Sequence, residues 1–472
     1  MWIAKLVTPF LLVSYILALS EVTIPEGVSV VATRHVDLTT QIVKVKVEYE
    51  IKNQGKADIN HFVHTISEDE DSHLAWISAY EKGKKEGARF RVAPVSVKGA
   101  PKGLVFYKVE LLNLVGAGAS ATIVVDYSMT LSLTPYPAEI TQAENQFVKY
   151  NGFGNVLSAY IMDKETTNFK VGNTKPISFT ELNPSKYATD KVTYGPYEKQ
   201  KPFVQKPITI HYENNSPFLV ATSVERVIEV SHWGNIAVEE LIEVVHKGAK
   251  LKGSFSRLDF QMDRRGNKQP VVKNFKTVLP STSTDVYYRD QIGNISTSAV
   301  YPRTDRLEVE LRPRFPLFGG WRTNYVLGYN VPTSSFLSSS GSDFALKIKL
   351  LDHLFDNAVV EKLRVKIILP EKSKNIKLVT PYSVKRLPDE IHKTYLDIEG
   401  RPVIVLEKTN LVDNHIQPFT LYYEWERSYI AYEPFIAIVA FFVLFLAFII
   451  FFRLDFSISN KDGKEITHMK KD

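Results

Sequence analysis

Val43-Lys44-Val45-Lys46-Val47-Glu48-Tyr49-Glu50-Ile51 alternates apolar and charged residues without a fault. Successive side chains of an extended strand point to opposite faces, so this pattern predicts a strand with one buried and one wet face. The same two-residue period recurs at Ile123–Leu131, Ile208–Tyr212, Leu307–Leu311, Leu346–Leu350, Val365–Leu369 and Phe419–Trp425. Turn formers separate these runs, as at Asn53-Gln54-Gly55, Gly116-Ala117-Gly118 and Asn330–Pro332. No long amphipathic helix is visible between them. The expected fold is mostly β, built as antiparallel β-sandwich-like domains with few short helices.

The chain has 472 residues, 44% hydrophobic and 23% charged, a globular balance too long for one ordinary core. Turn formers and charges crowd Tyr194-Gly195-Pro196-Tyr197-Glu198-Lys199-Gln200-Lys201-Pro202. A boundary is therefore expected there, giving one domain at 21–205 and a second at 206–430. Two domains of similar size and strand content are candidates for distant copies.

Two segments depart from this pattern. Lys5 precedes the apolar run Leu6–Leu19, and Ala18-Leu19-Ser20 supplies small residues for cleavage. Residues 1–20 read as a signal peptide, and Pro9 and the short run disfavour an uncleaved anchor. Phe435–Phe452 is apolar throughout and near the ~20 residues a bilayer-spanning helix needs. Pro434 stands where its missing N–H costs little, so the span is placed at 434–452. One cation, Arg427, lies in the twenty residues before Pro434. Five follow Phe452: Arg453, Lys461, Lys464, Lys470 and Lys471. Cations are retained on the cytoplasmic side, so residues 453–472 are expected as a short cytosolic tail and 21–433 as lumenal.

The net charge of +6 is spread along the chain, and no basic block implies nucleic acid. Cysteine is absent, which removes thiol catalysis and thiolate metal sites. His-Glu-x-x-His, Walker, Gly-x-Ser-x-Gly and dinucleotide signatures are missing. The acidic run Glu68-Asp69-Glu70-Asp71 lacks the spaced ligands of a calcium loop and reads as a solvated surface loop. Glu239-Glu240 are adjacent, which on a strand sends them to opposite faces. No catalytic residue, cofactor site or metal site is expected on this chain.

Two N-glycosylation sequons remain, Asn214-Asn215-Ser216 and Asn294-Ile295-Ser296. Asn294 lies in a polar turn and is the better acceptor. Asn214 is the poorer, because Pro217 follows its sequon directly. The densest unusual segment is Arg312-Pro313-Arg314-Phe315-Pro316-Leu317-Phe318-Gly319-Gly320-Trp321. Arg312, Arg314, Phe315, Phe318 and Trp321 are candidate docking residues, because aromatic and arginine anchors dominate protein interfaces. A core-packed irregular loop is the other reading, and the two are compatible.

Several long stretches carry a resemblance. Glu213–Phe218, Arg226–Ile236, Asp285–Asn294, Arg312–Trp321, Val365–Glu371 and Arg453–Ser457 occur in the order found in the ribophorin I family, subunits of the endoplasmic-reticulum oligosaccharyltransferase. Pro135-Tyr136-Pro137 and Tyr194-Gly195-Pro196 also fit. The resemblance implies a single-pass type I protein of that membrane, with two lumenal β-rich domains. It implies a non-catalytic assembly subunit of a complex that moves a preassembled glycan from dolichol pyrophosphate to Asn-x-Ser/Thr. Chemistry would reside on a separate multi-span subunit using a divalent metal. Implied partners are that subunit, a small two-span subunit and nascent glycoproteins. Longer relatives continue with a cytosolic helical region after the Arg453–Ser457 match, whereas this sequence stops at Asp472, which puts a ribosome contact in doubt. Two other readings remain open: a lumenal client-binding module or chaperone acting outside the complex, and an autonomous hydrolase.

Overall fold

A computed structural model describes residues 20–83, 89–172, 174–263, 269–394 and 396–454. The expected signal peptide through Leu19 and the expected cytosolic tail after Leu454 lie outside the described residues. The Val43–Asn53 strand is the backbone of the first domain. Val43, Val45, Val47, Tyr49 and Ile51 are buried, while Lys44 and Lys46 face water. It pairs antiparallel with Val28–Asp37 on one side and Ser120–Met129 on the other. Each of the other alternating runs falls largely in a strand, namely Ser120–Met129, Pro207–Glu213, Arg306–Leu311, Asp343–Lys349, Val359–Ile368 and Pro418–Glu424.

The two domains repeat one topology. In the first, the strands Val28–Asp37, Val43–Asn53, Ser120–Met129, Ile161–Lys170 and Lys191–Gln200 come in that chain order. The first pairs with the second, the second with the third, and the fourth with the fifth, all antiparallel. The first and fourth pair in parallel. In the second domain the same roles fall to Leu219–Ser231, Asn235–His246, Arg322–Pro332, Val359–Ile368 and Arg401–Leu411. Both sheets therefore run fifth, fourth, first, second, third in space.

The opposing layers match as well. A strand in the crossover between third and fourth (Phe147–Phe153; Asp343–Lys349) pairs with the strand after the fifth (Pro207–Glu213; Pro418–Glu424). Residues of both layers share one apolar core in each domain. A parallel pairing demands such a long crossover, and each domain uses its crossover to build the facing sheet.

This repeat moves the domain boundary. Pro207–Glu213 closes the first domain, pairing with Phe147–Phe153 and Ser178–Phe179, so a divide at residue 205 comes one strand early. The turn formers near Tyr194 belong to Lys191–Gln200 rather than to a linker. The connection is Asn214–Phe218. By the same logic, residues 425–431 connect the second domain to the apolar helix Tyr432–Arg453.

The acidic run is not a solvated loop. Glu68–Ser72 forms a short helix in which Ser67 Oγ accepts from Glu70 N at 3.1 Å. Glu70 Oε2 in turn accepts from Ser67 N at 3.2 Å, and Glu70 is buried. Ser-x-x-Glu is a capping box, and its reciprocal hydrogen bonds decide the conformation.

Candidate interaction surfaces

The second domain presents two ends, set by strand register. At one end lie Leu219, His246, Arg322 and Leu411; at the other lie Ser231, Asn235, Pro332, Ile368 and Arg401. The Arg322–Pro332 strand separates them by about 33 Å at ~3.3 Å per residue.

The first end meets the first domain. Gln41, between the first two strands of that domain, donates through Nε2 to Leu219 O and Asn357 O, each at 2.7 Å. Asn410 Nδ2 donates to Leu74 O at 2.9 Å. Ile42, Val220, Val359 and Val412 share a buried apolar cluster, with Trp76 packed against it. The Trp76 ring also meets His415 edge-on at 5.1 Å.

The Arg312–Trp321 segment serves this same end. Gly319 O accepts from Leu251 N, and Gly320 N donates to His246 O. A Cβ on Gly319 would fall 1.8 Å from Ala249 O, so only glycine allows this approach. Gly320 has φ +83°, a left-handed turn. The adjoining loop continues into the first domain, where Lys250 N donates to Ala138 O and Ala249 N to Gln146 Oε1.

Phe318 is 4% exposed and clusters with Phe255, Phe260 and Trp321. Trp321 is half-buried and Phe315 is exposed. Arg312 pairs with Glu310 at 2.9 Å. Arg314 grips Asp290 and Gly293 O, bracing the turn that carries exposed Asn294. The Arg314 hydrogen bond holds the Asp290 carboxyl down to about 2. Of the five candidate docking side chains, Phe318 is packed inward and Trp321 partly so. Phe315 and the arginine flanks remain on the surface.

The two sequons differ sharply. Asn214 is 5% exposed; its Nδ2 donates to Leu38 O at 3.2 Å and its Oδ1 accepts from Ser216 N and Oγ. In the folded chain the Asn214 side chain is committed to these internal bonds.

Between the two ends lies a buried charge cluster that sequence reading missed. Arg226 donates to Glu240, to Asp352 Oδ2 at 2.8 Å and to Tyr329 Oη at 3.1 Å. Glu240 is fully buried while Glu239 faces solvent, as adjacency on a strand requires. Burial pushes the Glu240 carboxyl up, Arg226 pulls it down, and Asp352 pushes it up again. The cluster ties the first three strands of the sheet to the crossover.

The far end of the domain receives the apolar helix. Arg401 donates to Glu229 at 2.9 Å and to Glu433 at 3.0 Å, joining a sheet strand to the helix's first turn. Glu371 Oε1 accepts from the backbone N–H groups of Ile398, Glu399 and Gly400. Glu371 O accepts from Trp425 Nε1 at 3.0 Å. His232 stacks on Trp425 at 4.0 Å between ring centroids, and its burial lowers the imidazole to about 4. Lys372 Nζ lies 4.0 Å from the Tyr432 ring centroid. Trp233, Tyr429, Tyr432 and Glu433 line a cleft of about 130 Å³ with these residues. Among the described residues, no group of three His, Asp or Glu is placed to hold a metal ion.

The helix Tyr432–Arg453 extends about 33 Å at ~1.5 Å per residue, against ~30 Å for a bilayer's hydrocarbon core. It is long and apolar enough to cross once.

Similarity to known proteins covers nearly the whole chain. The Ribophorin I family model matches residues 28–452. A Caenorhabditis elegans protein named dolichyl-diphosphooligosaccharide–protein glycosyltransferase subunit 1 is 49% identical, covering 92% of this chain and 73% of that one. Subunit 1B of Arabidopsis thaliana is 36% identical, covering 95% and 98%. Among solved structures, an M1 zinc metallopeptidase from Deinococcus radiodurans aligns over 44% of this chain and 42% of its own, with 8% identity and a TM-score of 0.27. That overlap is too low to carry any argument. The match running from the first sheet through the apolar helix shows that this chain belongs to the ribophorin I family.

Proposed function

We propose that this chain is a non-catalytic assembly subunit of an oligosaccharyltransferase complex in the endoplasmic-reticulum membrane. Its two β domains stand on the lumenal side, and its single helix docks against other subunits. The carrying observation is that the similarity to proteins named as subunit 1 spans both domains and the helix together. The transfer chemistry and its divalent metal belong to a multi-span partner, and this chain needs no cofactor of its own. Its exposed surfaces help present nascent glycoproteins to that partner.

The direct contacts between the second domain and the helix start support this reading. Arg401–Glu433 and the Trp425–His232 stack fix the helix start to the second domain. An assembly subunit has to transmit its position in the bilayer to its folded part. Affinity purification of the full chain in mild detergent should recover glycan-transfer activity. Recovery of a lone monomer, without other membrane subunits or activity, would overturn the proposal.

The chain is itself a glycoprotein in this reading, modified at exposed Asn294 and not at buried Asn214. Asn294→Gln should abolish the mobility shift on enzymatic deglycosylation, whereas Asn214→Gln should leave it intact.

A further inference from the structure

The repeat gives the same structural piece two different surroundings. In the first domain, the tip between the first two strands, Leu38–Ile42, meets the second domain through Gln41 and Ile42. Leu38 and Ile42 are almost wholly covered, and Gln41 reaches Leu219 O and Asn357 O. The equivalent tip of the second domain is His232-Trp233-Gly234, between Leu219–Ser231 and Asn235–His246. Its histidine is stacked on Trp425, yet Trp233 is 65% exposed. A large aromatic is thus held outward at a position that, in the other copy, makes contact.

The location says what it meets. Trp233 lines the same cleft as Tyr429, Ile430, Tyr432 and Glu433, the residues that lead into the apolar helix. That helix has little length to spare over the hydrocarbon core, so Glu433 must stand at the bilayer boundary. The cleft therefore lies at headgroup depth. Its lining includes an exposed indole, two half-buried tyrosine rings and the half-buried Lys372 ammonium over Tyr432. Tryptophan and tyrosine favour this zone, where an apolar ring and a polar edge are both satisfied, and a lysine there faces lipid phosphate.

We propose that the Trp233 hairpin tip is a second bilayer contact, seated among phospholipid headgroups beside the apolar helix. The second domain then rests on the membrane at two points, and the first domain is carried upright at its opposite end. The occupant of the tip is lipid, not another protein chain. This inference rests on the reading that Tyr432–Arg453 crosses the bilayer.

The test places a photoreactive benzoylphenylalanine at position 233 of the full chain in native membranes, with whatever subunits accompany it. The same probe at Leu258, 65% exposed near the opposite end of the sheet, gives the background. After illumination, mass spectrometry should find phospholipid adducts at 233, at least fivefold above position 258. Adducts mainly to another polypeptide, or none above the 258 level, would overturn the proposal. Resistance of the chain to alkaline carbonate extraction is scored in parallel. Release by carbonate would sink the crossing itself, whereas resistance with an unlabelled 233 would sink only the lipid contact.

Discussion

The first and second domains share a strand order but treat its parts differently. Each carries one buried arginine on its first strand. Arg34 donates to two carbonyl oxygens, of Asn155 at 3.0 Å and Phe153 at 2.7 Å. Arg226 meets two carboxylates and a tyrosine hydroxyl. Each also turns a hairpin tip in the same direction, one into a neighbouring domain and one toward the helix. The lesson is that the repeat supplies a framework, while a few polar side chains decide what each copy is anchored to. The first-domain tip meets the base of the second domain, and the second-domain tip lies beside the helix start.

The sharpest break between the copies should appear on removing their arginines. Arg226→Met leaves Glu240 and Asp352 buried without their partner and should cost about 3–5 kcal/mol. Arg34→Met leaves carbonyl oxygens unpaired and should cost about 1–3 kcal/mol. Denaturant unfolding of the full chain in detergent checks the order, and a costlier Arg34 change would reverse the contrast.

Acid should act next, in part through two histidines at the junction of the copies. Burial lowers His246 and His415 to about 4 from an ordinary value of 6.5. Between those values the unfolded chain binds protons that the folded chain refuses, so stability falls as pH drops from 6.5 toward 4. At pH 5 each histidine should cost about 2 kcal/mol relative to neutral pH. His246→Gln should flatten that part of the profile, measured as unfolding free energy against pH. A variant retaining the full slope would remove His246 from the account.

Gln41→Ala removes both hydrogen bonds from the first tip and should weaken the domain junction by about 1–3 kcal/mol. Faster proteolysis within Asn214–Phe218 reports it. The matching change at the second tip, Trp233→Ser, should shift unfolding of the protein in detergent by no more than about 0.5 kcal/mol, because the ring has no core to leave. A larger loss would mean that the indole is structural, and the two tips would then be alike.

Much of this was legible without a structure. Faultless alternation at Val43–Ile51 marked a half-buried strand, and an apolar run with Pro434 at its head marked the long helix. Parallel pairing of Val28–Asp37 with Ile161–Lys170 was not legible, since a two-residue period is the same for either direction. Phe318 and Phe315 look equivalent in sequence, yet one is packed among rings and the other faces solvent. Arg312–Trp321 stood out by composition, but its Gly319 answers to the Ala249 backbone, far away in sequence. Asn214 could be ranked second among sequons, while its burial depends on a bond to Leu38 O.

Local sequence determined which residues form strands, where a membrane-length helix lies and which side chains seek cover, because periodicity and hydropathy act over a few residues. Tertiary structure alone decided which strands are neighbours, that the chain folds as two copies, that Arg226 finds Glu240 and Asp352, and that Trp233 is left outside. Those outcomes depend on contacts between residues far apart in the chain, and a local pattern carries no information about its distant partner.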